Sequence, residues 1–448
     1  MRSGLALVMS LGLTASLVAA CSSGNSVEST DSAEPQSAQP LSGNRYSQTN
    51  LAANSEEYKA PFVFPDMINA WGVAIRPQGA GGHFWVGAGD TSFEFVGDVT
   101  DSSDEELRIL FQNKLEEVAI PNADDDTSDD SMGKVTGVIF NPAPIESDVF
   151  AVRDQPVQVD GAEQMLSGSA RFIFATDSGS ISAWTEQGDP AEPPVRHNGP
   201  AKEVFNGADE GMAFFGIALA PGNGETMLAS DFGEDPQIRQ FDKDWNLVPT
   251  QGFANPFATG DAADAADPAK GKKTVPGDLA PFNIVTVGNR VFVMYATTSG
   301  LADQSGKFDP GEEDSLNIEQ EKAAKYLPAR GKVAEFDASG NLVRVLGDED
   351  RLNAPWGVAI APDGFGPLRG KILIANFAGA GRILAFDDGT GEFVDYLRDE
   401  DGNPAEIQGI WSLLFGNGES LGDSNALYFT AGPQDEADGL FGALRLKG

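Results

Sequence analysis

One short motif, returning six times, limits what this chain can fold into more than any other feature. The copies are Trp71-Gly72-Val73-Ala74-Ile75, Thr136-Gly137-Val138-Ile139-Phe140, Phe215-Gly216-Ile217-Ala218-Leu219, Phe282-Asn283-Ile284-Val285, Trp356-Gly357-Val358-Ala359-Ile360 and Trp411-Ser412-Leu413-Leu414-Phe415. Each sets a small or short polar residue before aliphatic residues, and each is followed by a second β-rich run such as Phe84-Trp85-Val86 or Leu427-Tyr428-Phe429. Three of the third runs end on an aromatic-Asp pair, Phe241-Asp242, Phe336-Asp337 and Phe386-Asp387. Short strands in groups, joined by Asp-Gly, Gly-Asn and Ser-Gly pairs, are hairpin chemistry repeated around an axis. Six copies predict an all-β, six-bladed β-propeller, with the small residue on each innermost strand, where backbones crowd together.

Closure follows from the end of the chain. After Leu440-Phe441-Gly442-Ala443-Leu444-Arg445-Leu446 only two residues remain, so the sixth blade lacks an outer strand. Arg45–Leu51 alternates like a strand, and its pairing with the last blade is expected to close the ring and remove an exposed edge. One propeller is therefore expected over residues 45–448, with the excess length in loops, chiefly 98–132, 141–170, 255–280 and 299–330.

The first residues read as an export signal. Arg2 precedes an apolar run from Leu5 to Leu17 that is too short to span a bilayer. It ends in Val18-Ala19-Ala20-Cys21, which resembles the lipobox of bacterial lipoproteins, and this is the single cysteine of the chain. Residues 1–20 are thus expected to be a signal peptide cut before a lipid-bearing Cys21; an ordinary cleaved signal with an incidental cysteine is the alternative. Ser22 follows, where Asp would resemble the signal for retention at the inner membrane, so the outer membrane or cell surface is the expected location. The segment to Asn44 holds only Val27 and Leu41 as large aliphatics and reads as a disordered tether.

Several stretches, among them Asn353-Ala354-Pro355-Trp356-Gly357-Val358-Ala359-Ile360-Ala361-Pro362, Arg171-Phe172-Ile173-Phe174-Ala175-Thr176-Asp177 and Leu427-Tyr428-Phe429-Thr430-Ala431-Gly432-Pro433, resemble a family of bacterial exported proteins related to the six-bladed NHL-type propellers. Some members of that family carry a PEP-CTERM sorting tail, whereas the anchor expected here is the lipobox. The resemblance implies the propeller fold and says little about chemistry.

Composition excludes some functions. With 68 Asp+Glu against 30 Lys+Arg the net charge is −38, a field that repels nucleic acid, and one cysteine and two histidines exclude disulfides and multi-histidine metal centres. The joins after the second strands place Asp90, Asp177, Asp231 and Asn376 at matching points, and Asn283 adds an oxygen on an inner strand. Together they are candidate ligands for Ca2+, which takes oxygen donors; alternatively they make Asx-type turns at tight joins. Six-bladed lactonases and arylesterases look similar in having Asn, Asp and Glu around a central cation. The aromatic starts Trp71, Phe215, Phe282, Trp356 and Trp411 either ring a ligand entry or fill the gaps between neighbouring blades. No Gly-x-Ser-x-Gly elbow is present, and His83 and His197 are lone candidates for a general base. The expected function is a monomeric, lipid-anchored binding or scaffolding module for a protein or small-molecule ligand, with a cation-dependent hydrolase as the alternative.

Overall fold

The computed structural model describes residues 39–121, 133–159, 161–187, 193–298, 313–323 and 330–448. The expected signal peptide, Cys21 and the tether up to residue 38 lie outside these residues. The described residues form five four-stranded antiparallel sheets, one five-stranded sheet and one separate hairpin, giving six blades. Their inner strands are Ala70–Ala74, Val135–Phe140, Phe214–Leu219, Leu279–Val287, Pro355–Ile360 and Ile410–Phe415, each containing one copy of the repeated motif. The outer strands of blades one to five are Glu117–Ala119, Lys202–Asn206, Leu247–Val248, Leu342–Val345 and Phe393–Tyr396.

The small residues meet at the axis in a fixed sense around the ring. A Cβ on Gly72 would lie 2.6 Å from the Thr136 carbonyl oxygen, one on Gly137 would lie 2.9 Å from the Ile217 amide, and one on Gly357 would strike the Trp411 carbonyl. Each of these partners belongs to the next inner strand. Where the residue is not glycine, its side chain bonds to that same strand. Asn283 Nδ2 donates to the Trp356 carbonyl at 2.8 Å, and Ser412 Oγ donates to the Trp71 carbonyl at 2.8 Å. The motif is therefore a contact rule for neighbouring blades.

Larger side chains fill the wider space further from the axis. Between blades one and two Trp85 stacks on Phe172 with centroids 4.2 Å apart, and Trp184 packs 4.9 Å from Trp85. Burying one such ring stabilises the fold by about 2–3 kcal/mol. The aromatic-Asp pairs divide the same labour: Phe241, Phe336 and Phe386 are buried, while each Asp caps the next turn. The Asp337 carboxylate, for example, accepts from the Ser339 and Asn341 amides at 2.8 and 2.9 Å. One long loop also differs from the expectation. Residues 141–170 contain the hairpin of Ala151–Val159 and Ala162–Ser169, whose Val152, Val157 and Leu166 are buried.

Closure occurs as expected. Strand Tyr46–Ala53 runs antiparallel to Leu440–Leu446, from Tyr46 opposite Leu446 to Ala53 opposite Leu440, with a bulge between Asn50 and Ala52. The segment just before it departs from the expected free tether. Asn44 is buried, and its Nδ2 donates to Asp395 Oδ2 at 2.7 Å and to the Tyr396 carbonyl at 2.8 Å; the Leu41 amide also donates to Asp395 Oδ2, at 2.9 Å. Asp395 is fully buried against Arg398 at 2.6 Å, so residues 41–44 complete a polar cluster on blade five. Blade six is latched to blade one by Arg445, which reaches Asp98 at 2.5 Å and Asp423 at 3.0 Å, while the Tyr428 hydroxyl donates to Asp98 at 2.6 Å. Deleting Arg45–Leu51 leaves Leu440–Leu446 as an open edge, and the protein is expected to aggregate and lose its cooperative melting transition. A soluble, monomeric deletion that melts like the parent contradicts this closure.

Candidate functional site

The five aromatic candidates come together in one buried cluster, with relative exposures of 0 to 5%. They do more than fill gaps between adjacent blades. Phe215 of blade three packs edge-on to Trp71 of blade one at 5.2 Å, and Phe282 of blade four lies 6.0 Å from Trp411 of blade six. The Trp356 indole of blade five donates to the Phe215 carbonyl of blade three at 2.9 Å. Blades that are not neighbours can touch only at the axis, so these rings plug the central channel. Trp411 lies between Trp71 at 3.9 Å and Phe377 at 3.7 Å, both nearly parallel to it, and its indole donates to Asn69 Oδ1 at 2.7 Å.

Three of the candidate oxygen ligands, Asp177, Asp231 and Asn376, are set against the backbone of their own blades. Asp177 Oδ1 accepts from the Gly133 and Lys134 amides at 2.5 and 2.7 Å. Asp231 Oδ1 accepts from Ala213 and Gly233 at 3.0 and 2.9 Å, and its Oδ2 takes Arg239 Nε at 2.8 Å. Asn376 accepts from the Asn353 amide at 3.1 Å and donates to the Arg351 carbonyl at 2.9 Å. In blade four Thr298 takes the same position, accepting from the Gly277 amide and donating to the Asp278 carbonyl, both at 2.9 Å. A side chain at the second-strand end thus clasps the chain entering the inner strand of the same blade. Asn283 joins blades four and five, and Asp90 is exposed with its carboxylate on the Thr91 hydroxyl at 2.9 Å. Burial raises the Asp177 carboxyl to about 6, against the backbone donors that favour its charge, and burial likewise raises Asp231. Among the described residues, no three His, Cys, Asp or Glu side chains gather where a metal ion could be held.

Beside the plug, on the face carrying these joins, is a recess of about 340 Å3. It is lined by half-buried Phe377, by Leu316 and Ile318, and by Gly409, Asp435 and Glu436. The turn carrying the two acids is unusual. Gln434, Asp435 and Glu436 have φ of 58°, 53° and 68°, three consecutive side-chain-bearing residues in the left-handed region. That conformation costs on the order of 1 kcal/mol per residue. It is held by the Asp438 carboxylate, which accepts from Asn54 Nδ2 at 2.9 Å and the Tyr58 hydroxyl at 2.6 Å, and by Asn69 Nδ2, which donates to the Glu436 carboxylate. No motif in the sequence marks this turn. The nearest signal is the pairing of Asn69 and Asn353 just upstream of two inner strands, and both anchor rim segments. Asn353 bonds to the Leu316 amide and carbonyl at 2.9 and 2.7 Å.

No protein-family model matches the chain. An uncharacterized protein of Acanthamoeba polyphaga mimivirus is 28% identical over 396 residues, covering 88% of this chain and 79% of the relative. A second from the same virus is 25% identical over 398 residues, covering 89% and 85%. Among solved structures, the WD40 β-propeller domain of Doa1 matches at a TM-score of 0.38 and 9% identity, over 84% of this chain and 92% of that one. A Bacteroides caccae protein of unknown function matches at 0.35 and 11%, over 77% and 85%.

Neither histidine is a solvated loop residue. His83 Nε2 is 2.9 Å from Asn113 Oδ1, and burial lowers the ring to about 4. His197 stacks on Trp184 at 4.7 Å with Nε2 2.9 Å from the Thr185 carbonyl, and burial lowers it too. Glu94, which no pattern singled out, is fully buried opposite Trp85 in the interface facing blade two. Burial raises its carboxyl well above the usual range, with only the Ser92 hydroxyl favouring the charge. A carboxyl raised on folding favours the folded state while protonated, and that contribution is lost as pH rises through the folded value. Glu94→Gln is therefore expected to match the parent in stability at pH 4 and exceed it at pH 8, measured by denaturant unfolding. A variant less stable than the parent at pH 8 contradicts the assignment of Glu94 as a neutral acid.

Proposed function

We propose that this chain is an exported binding propeller, anchored by lipid at Cys21, that engages its partner at the recess between blades five and six. The observation supporting this reading is the strained turn at Gln434–Glu436. The fold holds three residues in an unfavourable conformation at the rim of a recess lined by an aromatic ring, and strain of this kind clusters where a surface binds. The plug closes the axis, so the site lies off-centre at the mouth. The hydrolase alternative has less behind it. The oxygens of Asp177, Asp231, Asn283 and Asn376 already bond to protein groups, and both histidines are buried against protein acceptors.

A photo-crosslinking residue at Gln408, on the recess, is expected to yield a discrete adduct in the producing cell. The same probe at Asn223, on the opposite face, is expected to yield none. In the same cells Cys21→Ser is expected to move the protein from the membrane to the soluble exported fraction. Equal labelling from both positions, or none from Gln408, overturns the binding face, and an unchanged membrane fraction overturns the anchor.

A further inference from the structure

We infer that the recess recognises an organic cation on an apolar stem, the side chain of a lysine or arginine in a partner protein, seated over the face of Phe377. This rests on reading the recess as the binding face. Phe377 is the outermost ring of a three-ring stack, Trp71 on Trp411 on Phe377, with interplanar angles of 17° and 13°. One face of Phe377 is covered by Trp411, and the residue lines the recess and remains half-buried. An aromatic face attracts a cation that sheds little water, and a guanidinium or alkylammonium does so more readily than a hard metal ion.

The walls fit the same ligand. Leu316, Ile318 and Ala378 add apolar lining against which a methylene stem can pack, while Glu313, Asp435 and Glu436 supply carboxylates. Among the described residues the recess has no Lys, Arg or His in its lining. The aromatic ring favours an organic cation over a divalent metal, which it cannot ligate through oxygen. The net charge of −38 adds a long-range field that draws cations in and speeds their encounter. A side chain carried by a protein surface suits a site of about 340 Å3, near the small end of ligand pockets, because the surrounding surfaces close over it.

The test uses the full chain and calorimetric titration with three probes: a nine-residue Ala/Gly peptide with one central lysine, its norleucine counterpart, and tetramethylammonium. The lysine peptide is expected to bind at least tenfold more tightly than either of the others. Phe377→Leu, which keeps the lining apolar, is expected to weaken it about 3- to 30-fold. Asp435→Asn, an exposed change that leaves the fold intact, is expected to weaken it severalfold and flatten its salt dependence. Equal binding of the lysine and norleucine peptides, or binding unaffected by both variants, overturns the inference. Tightest binding of tetramethylammonium overturns the partner-protein source. A Gln408 adduct without lysine-peptide binding refutes the cation and leaves the binding face standing; lysine-peptide binding without an adduct does the reverse.

Discussion

The fold depends on how closely six inner strands approach one another at the axis. At that radius each strand leaves its neighbour room for a hydrogen atom or for one polar group aimed at a backbone oxygen. Gly72, Gly137, Gly216 and Gly357 take the first option, and Asn283 and Ser412 take the second. Everything outward follows from this spacing. Of the aliphatic residues after each small one, the first packs against the preceding blade, as Val138 does, and the second against the next, as Ala74 does, while large rings such as Trp85 and Trp184 fill the space as the blades diverge. The ring must close, which explains why a strand from one end of the propeller pairs with a strand from the other.

The same crowding decides where function can sit. Inner strands that converge also bring the first residues of their motifs together, and because five of the six are aromatic the channel mouth fills with rings. Trp356 bonding to the Phe215 carbonyl across the axis, and Trp411 held between Trp71 and Phe377, leave the centre closed. A partner therefore meets the edge of the plug, where Phe377 presents a face and where the Gln434–Glu436 turn holds two carboxylates. The closing segment supports that turn directly through Asn54 and Tyr58 on Asp438. Ring closure and the shape of the rim are thus one construction.

Features governed by local crowding were legible in the sequence. A small residue before aliphatics states a steric limit, so the six blades, their inner strands and the closing strand can be read from it. What depends on where a side chain points could not be read. Asp177, Asp231 and Asn376 have the spacing and chemistry of a ligand set, yet each turns back to the amides entering its own blade, and of the three only Asp231 also bonds to the amide two residues on, as an Asx turn does. The aromatic starts are visible as a set, but whether they face neighbours or the axis depends on the tilt of each blade. Residues 41–44 looked like tether because their docking rests on Asp395 and Arg398, over 350 positions away. Glu94 carries no pattern at all, and its burial follows from strand alternation in an interface only the assembled ring creates.

The central claim is that axial spacing sets residue size, and the melting of two single variants tests it most directly. Gly357→Ala puts a methyl against the Trp411 carbonyl, whereas Gly389→Ala, in an outer turn of the same blade, meets only the Asp387 carboxylate at 3.3 Å. The account predicts that the axial variant loses on the order of 3 kcal/mol while the outer one stays close to the parent. Equal stability of the two proteins contradicts it.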